Sequence, residues 1–308
     1  MSQTRRETLL QDRLLKGTNP ATRSLVLGGT QNAVVGGALS SVLVGEGNRV
    51  TGSRHASVVS GIRNTVTTSD DSVTVGGLEN TMFLSPGSVS LGGGLDATGT
   101  PVLGNAMTGT RSSTMLGGYD NVIQGGYQAG IFSAWEGVVD GLTGGTVQFS
   151  TICGGSHNIM RAANSGILGG HDNVIGVSPY GWNAIVGGGE NTMTNSQFSA
   201  IVGAGGLNTP THMFYANRCV IAGGGLQSLT GASVVSPTEN SAMLGGFGNT
   251  LTHSRSVVVG GSGLSSDATD TVFMSKVNVA NLPTSSAGLS AGTLWASGSS
   301  PNKYVRIV

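Results

Sequence analysis

From Ser113 the chain reads STMLGGYDNVI, and near copies recur as STICGGSHNIM from Ser150, SGILGGHDNVI from Ser165 and SAMLGGFGNTL from Ser241. The Asn of this unit falls at Asn32, Asn48, Asn64 and Asn80, with Asp96 next in the same slot, a spacing of 16 residues each time. It continues at Asn121, Asn158, Asn173, Asn191, Asn208, Gln227 and Asn249, the extra residues falling between units rather than within them. A constant unit with variable connections is the signature of a solenoid, in which each coil stacks on its neighbours and loops leave from an edge.

Within the unit, SVTVGG around Val73 and Val75 and NTVT after Asn64 alternate and are rich in β-branched residues, so each coil reads as two short strands and two turns. The pairs Gly28-Gly29, Gly76-Gly77, Gly117-Gly118, Gly154-Gly155, Gly169-Gly170, Gly187-Gly188 and Gly245-Gly246 supply positive φ or let another backbone approach closely. Asn32, Asn80, Asn121, Asn158, Asn173, Asn191 and Asn249 are expected to take the left-handed region at the next corner and to hydrogen-bond from coil to coil as a ladder. The fold class is therefore all-β, a β-roll or β-helix solenoid of about 16-residue coils. So short a coil encloses a thin interior, and the expected remedy is a homotrimer, three chains around an axis with their glycines inward.

Composition removes the competing classes. With 53 Gly in 308 residues and 10% charged residues, the chain is far from an ordinary globular enzyme. Its glycines are paired at wide intervals, unlike collagen, and 38% apolar residues are enough to bury surface, unlike a disordered chain. A formal net charge of zero with three lysines argues against nucleic acid or anionic membrane as partner. No run of about 20 apolar residues suggests membrane insertion. Cys153 and Cys219 suggest no disulfide framework.

Three domains are expected. Residues 1–22 read as a helical attachment segment, with Leu9, Leu10, Leu14 and Leu15 on one face and no apolar run suited to a secretory leader. Residues 23–266 form the repeat, with loop insertions at 122–149, 176–183 and 209–217. Residues 267–308 form a cap of strand, turn and closing strand.

The tail NLPTSSAGLSAGTLWASG with its YVRIV finish resembles the carboxyl ends of bacteriophage tail fibre and tail-associated proteins, and the repeat is similar to the β-roll heads of trimeric autotransporter adhesins. The resemblance implies a structural fibre of a phage or phage-like tail, assembled in the host cytoplasm and located in the virion. It would dock other tail or baseplate proteins through its amino terminus and contribute to attachment to a host glycan or protein. The alternatives are an adhesin-like surface protein and a polysaccharide depolymerase tailspike.

No catalytic set, metal site or cofactor is read from the residues. The one Gly-x-Ser-x-Gly, at Gly288 to Gly292, has no His after it. The five histidines share no metal-ligand spacing, although His157 and His171 lie between Gly-Gly and Asn on neighbouring coils. Asp120, Asp172 and Glu190 read as corner residues, and Glu136 and Asp140 fall near Trp135. The aromatics are more telling: ten of the fifteen lie between Tyr119 and Tyr215, several where the period breaks. Tyr127, Phe132, Trp135, Tyr180, Trp182, His212, Phe214 and Tyr215 are the receptor-binding candidates, since rings on loops suit sugar faces and protein surfaces.

Overall fold

The computed structural model describes residues 23–93, 104–141, 147–178, 181–206 and 208–275, with 287–288, 290–291, 293–297 and 304–307 beyond them. The expected helix of residues 1–22 lies outside the described residues, among which there is no helix of any kind. The chain divides into two units, Met1–Phe273 and Met274–Val308.

The first unit is a parallel β-solenoid. Fifteen strands, from Leu25–Val26 to Val272–Met274, build one sheet, and thirteen, from Ala33–Val35 to Thr250–Leu251, build a second. Successive strands of a sheet come from successive coils: Val73 pairs with Val89 and Thr65 with Thr81, each 16 residues on. Because side chains alternate, a three-residue strand sends one residue inward and two outward. The inward residues form two columns one side chain wide, such as Met115, Ile131, Ile152 and Ile167 on the first sheet and Met107, Ile123, Val139 and Met160 on the second, all essentially inaccessible. The interior is as thin as the coil length requires. Thr74 and Ser90 interrupt the first column, and neither hydroxyl has a hydrogen-bond partner.

Two buried polar columns join the coils. The Asn ladder is present: Asn64 N–H donates to Asn48 Oδ1 at 3.0 Å, Asn80 N–H to Asn64 Oδ1 at 3.0 Å, and the side-chain amide of Asn48 donates to the Gly61 carbonyl at 2.8 Å. Serines form the second column, where Ser113 N–H donates to Ser88 Oγ at 3.2 Å and Ser256 N–H to Ser241 Oγ at 3.2 Å. Each Gly-Gly pair opens the Asn corner, and each Ser closes the opposite one. The left-handed residue of the Asn corner is not the Asn itself but the one before it, as in Glu79 (φ 57°), Asp120 (54°) and Glu190 (54°). The Asn must stay extended so that its amide can reach both its own coil and the next.

Four boundaries differ from the expected ones. The ladder passes from Asn80 to Asn105, not to Asp96, which lies outside the described residues. A carboxylate there would lack the donor that the Gly carbonyls need. Most of 122–149 is regular coil: Val122–Gln124, Gly130–Phe132 and Val138–Asp140 all pair in the sheets, and Gly137 holds the Asn slot by its main-chain N–H. Thr211 rather than Asn208 pairs with Asn191, and Asn208 N–H instead binds the Glu190 carboxylate. Last, strand Val272–Met274 still belongs to the first sheet, inside the stretch assigned to the cap. In the second unit, Leu294–Ser297 pairs antiparallel with Tyr304–Ile307.

Candidate attachment site

The aromatic candidates do not gather in one place. Trp135 stands in the Asn corner between Tyr119 and His157 of the adjacent coils, ring centroids 5.5 and 5.0 Å away. Its Nε1–H donates to Glu136 Oε1 at 3.0 Å, and Glu136 Oε2 meets His157 Nε2 at 2.8 Å. Asp172 lies 3.9 Å from the other ring nitrogen of His157. One coil earlier, burial and then the charge of Glu136 raise the Asp120 carboxyl above its ordinary value. Phe132 is on the outer face of the first sheet with its ring over Gly130, where a Cβ would come within 2.7 Å of it. His212 and Phe214 flank the inward Met213 on the second sheet, their rings 5.7 Å apart, and Tyr215 follows in a turn at φ 50°. Tyr180 lies outside the described residues.

Tyr127 and Trp182 do share an edge, the Ser corner. Tyr127 lies beneath Arg111, whose guanidinium carbon is 5.3 Å from the ring centroid. Trp182 lies parallel to Phe198 of the next coil, centroids 6.3 Å apart and planes 8° apart. Phe149 completes the group, its N–H donating to the Tyr127 carbonyl at 3.0 Å.

Phe149, Trp182 and Phe198 occupy one structural slot, the residue immediately before the buried Ser or its Asn183 equivalent, and all three have positive φ (50°, 64° and 49°). Left-handed backbone costs a bulky L-residue about 1–2 kcal/mol; Asp71, Asn164, Asn240 and Asp270 fill the same slot in other coils with residues that suffer less there, while Leu39, His55, Gln128, Arg218 and Arg255 bear the same strain. The three rings are also 59%, 57% and 53% exposed, so burial does not offset the strain. Strain combined with exposed apolar surface is the pattern of a contact site. Phe149, at the end of the stretch read as the insertion 122–149, and Phe198, in regular coil, escape a reading phased on Asn. Phasing the repeat on Ser places them with Trp182.

Among the described residues, no three His, Cys, Asp or Glu side chains are placed to hold a metal ion. The described residues include an open groove lined by Gly36, Ala38, Gly52, Arg54, Thr68, Asp70 and Pro86, and another lined by Arg63, Glu79, Thr81, Gly104 and Ala106. Neither includes an aromatic candidate.

Compared with known proteins, the chain matches no family model, and no curated protein matches it.

Proposed function

We propose that the chain is a structural fibre protein of a phage or phage-like tail, that it works as a homotrimer, and that it contributes to host-surface attachment without catalysis. The observation that carries this reading is the Ser-corner edge, where a rigid parallel stack holds Phe149, Trp182 and Phe198 exposed in a strained conformation. A solenoid suits the task because its coils fix such groups at constant pitch along a surface. Exposed rings beside the amide of Asn164 match the mixed apolar and polar face of a pyranose sugar, and a surface glycan is therefore the favoured receptor class.

The resemblance of the repeat and the tail to phage fibre proteins supports the placement in a virion, with residues 1–22 as the docking segment for other tail proteins. An antibody raised against the chain should decorate the tails of phage-like particles from cells that express it. Decoration of the cell envelope with no particles labelled would overturn the virion assignment in favour of an adhesin-like surface protein.

One observation favours a second reading, the depolymerase. Asp120 and Glu136 stand in adjacent coils, and burial and the Glu136 charge raise the Asp120 carboxyl above its ordinary value, the direction that favours a general acid. Cleavage of capsular polysaccharide by the purified chain, abolished in Asp120→Asn, would establish it.

A further inference from the structure

The outer face of the first sheet carries a feature that the attachment edge does not use. In every coil the residue after the inward one points outward, followed in ten of the fourteen by a Gly-Gly pair and in the other four by Val44-Gly45, Ser60-Gly61, Ser133-Ala134 and Gly203-Ala204. Through the first fourteen of the fifteen strands, from Leu27 to Val259, this residue is apolar without exception. Seven of its members stand well out of the surface, from 36% exposed at Leu91 to 51% at Leu168, and the other seven, Cys153 among them, are half-buried. The same position on the second sheet is held by Thr51, Thr67, Thr108, Thr194, Thr230 and Thr252, by Gln124, Asp140 and Arg161, and by Val35, Phe83, Gly176 and Phe214 in the remaining coils. The chain thus builds a row of mostly Thr and other polar residues, broken by single apolar ones, on one sheet and an unbroken apolar stripe on the other.

Beside the stripe runs the first glycine of each pair. A Cβ at Gly92, Gly154, Gly187, Gly203, Gly223 or Gly245 would meet no heavy atom within 4 Å, so packing inside the chain does not demand glycine there. Positive φ favours it, and its further effect is a flat strip onto which another backbone can lie.

We infer that this stripe is the seam between copies of the chain, which pack parallel and in register through the outer faces of their first sheets. The inference rests on the self-associating fibre proposed above and names the surface it uses. Three observations select a second copy as the occupant. The stripe repeats at every coil, about 4.8 Å apart, and a covering surface must offer apolar groups at that same pitch over fourteen steps. A parallel copy of this sheet does so. The stripe carries no charge, so it offers nothing to an acidic or basic partner. Fourteen apolar residues, seven of them 36–51% exposed, present apolar surface on the order of the 800 Å² that each partner contributes to a standard specific interface. A Leu or Val row of this length left in water would invite aggregation instead.

The seam contains its own probe, because Cys153 is the stripe residue of its coil, half-buried and free. Two measurements on the full chain test the inference. First, light scattering should find the wild type oligomeric, and Leu168→Asp combined with Val202→Asp should return it to a monomer with its β-sheet circular dichroism intact. Thr194→Asp combined with Thr230→Asp, on the second sheet, should leave the oligomer unchanged. A monomeric wild type would overturn the self-association reading and this inference with it. An oligomeric wild type whose Leu168→Asp, Val202→Asp variant stays oligomeric would overturn the seam alone. Second, and independent of whether that variant folds, a short bismaleimide should join copies of the wild type through Cys153 at low protein concentration, and Cys153→Ser should abolish the product. An oligomer in which Cys153 yields no crosslink would also refute the seam.

Discussion

The two glycines of one pair separate two contributions that sequence alone cannot. Gly169 and Gly170 have similar positive φ, 74° and 86°, so an alanine at either suffers the same left-handed strain, about 1–2 kcal/mol. Their surroundings differ. A Cβ at Gly169 finds its nearest atom, the Cys153 carbonyl oxygen, 4.0 Å away, whereas a Cβ at Gly170 would overlap the carbonyl oxygen of Gly188 in the next coil. That carbonyl accepts from His171 N–H and from the Asn173 side-chain amide, each at 3.2 Å. Moving it aside loosens two partly buried hydrogen bonds at about 1 kcal/mol each. Gly169→Ala should therefore cost about 1–2 kcal/mol and Gly170→Ala about 3–4 kcal/mol, read as the shift of the urea unfolding midpoint at a fixed m-value. Equal losses for the two variants would refute the close approach of coils at the Gly-Gly corner, and with it the reason the second glycine is needed.

Other predictions follow from buried groups. Thr74→Val should stabilise the fold by about 1 kcal/mol in the same assay, because the Thr74 hydroxyl is buried in the apolar column without a partner; a loss of stability would mean the hydroxyl is bonded. Cys219 is buried, its thiol pushed up to about 11 chiefly by desolvation, so in the native protein a maleimide should label Cys153 first and Cys219 only on unfolding, with mass spectrometry assigning the sites. In a carboxyl NMR titration Asp270, bonded by the Arg255 guanidinium, and Asp70, bonded first by the Arg54 main-chain N–H, should titrate below the ordinary value of 3.8, and Asp120 above it. The linked effects on stability have opposite signs: the Asp70 and Asp270 contributions are present above the ordinary carboxylate pKa and are lost as pH falls through their lowered values. Protonating Asp120, in contrast, relieves a buried charge as pH falls through its raised value.

The period is legible in the residues because both corners are chemically demanding: wherever an Asn forms the ladder the second residue of the pair is Gly, Ala134 and Ala204 taking that place only where Gly137 and Thr211 replace the Asn, and the ladder needs a side chain that donates and accepts at once. It becomes illegible where the main chain alone meets the demand. Gly137 continues the ladder with its N–H, so a regular coil reads as an insertion, and Thr211 replaces the Asn while the nearby Asn208 serves a surface contact. The serine column is hidden for a related reason, since serines are common in turns and only the register shows that Ser72, Ser88 and Ser113 are wholly buried. Of the attachment edge, Trp182 is legible from its irregular surroundings, whereas Phe149, at the end of the stretch read as an insertion, and Phe198, in regular coil, are not, because positive φ does not show in residue spacing.

The attachment edge is tested most directly by replacing Phe149, Trp182 and Phe198 together with Asn, the residue that already fills this slot at Asn164 and Asn240 and so preserves the corner. Adsorption of the variant to the bacterial cells that bind the wild type should fall at least tenfold, since a ring at a contact is worth about 1 kcal/mol or more, while the unfolding midpoint stays the same or rises. Unchanged adsorption by a fully folded triple variant would contradict the assignment and leave these rings as cladding of the solenoid.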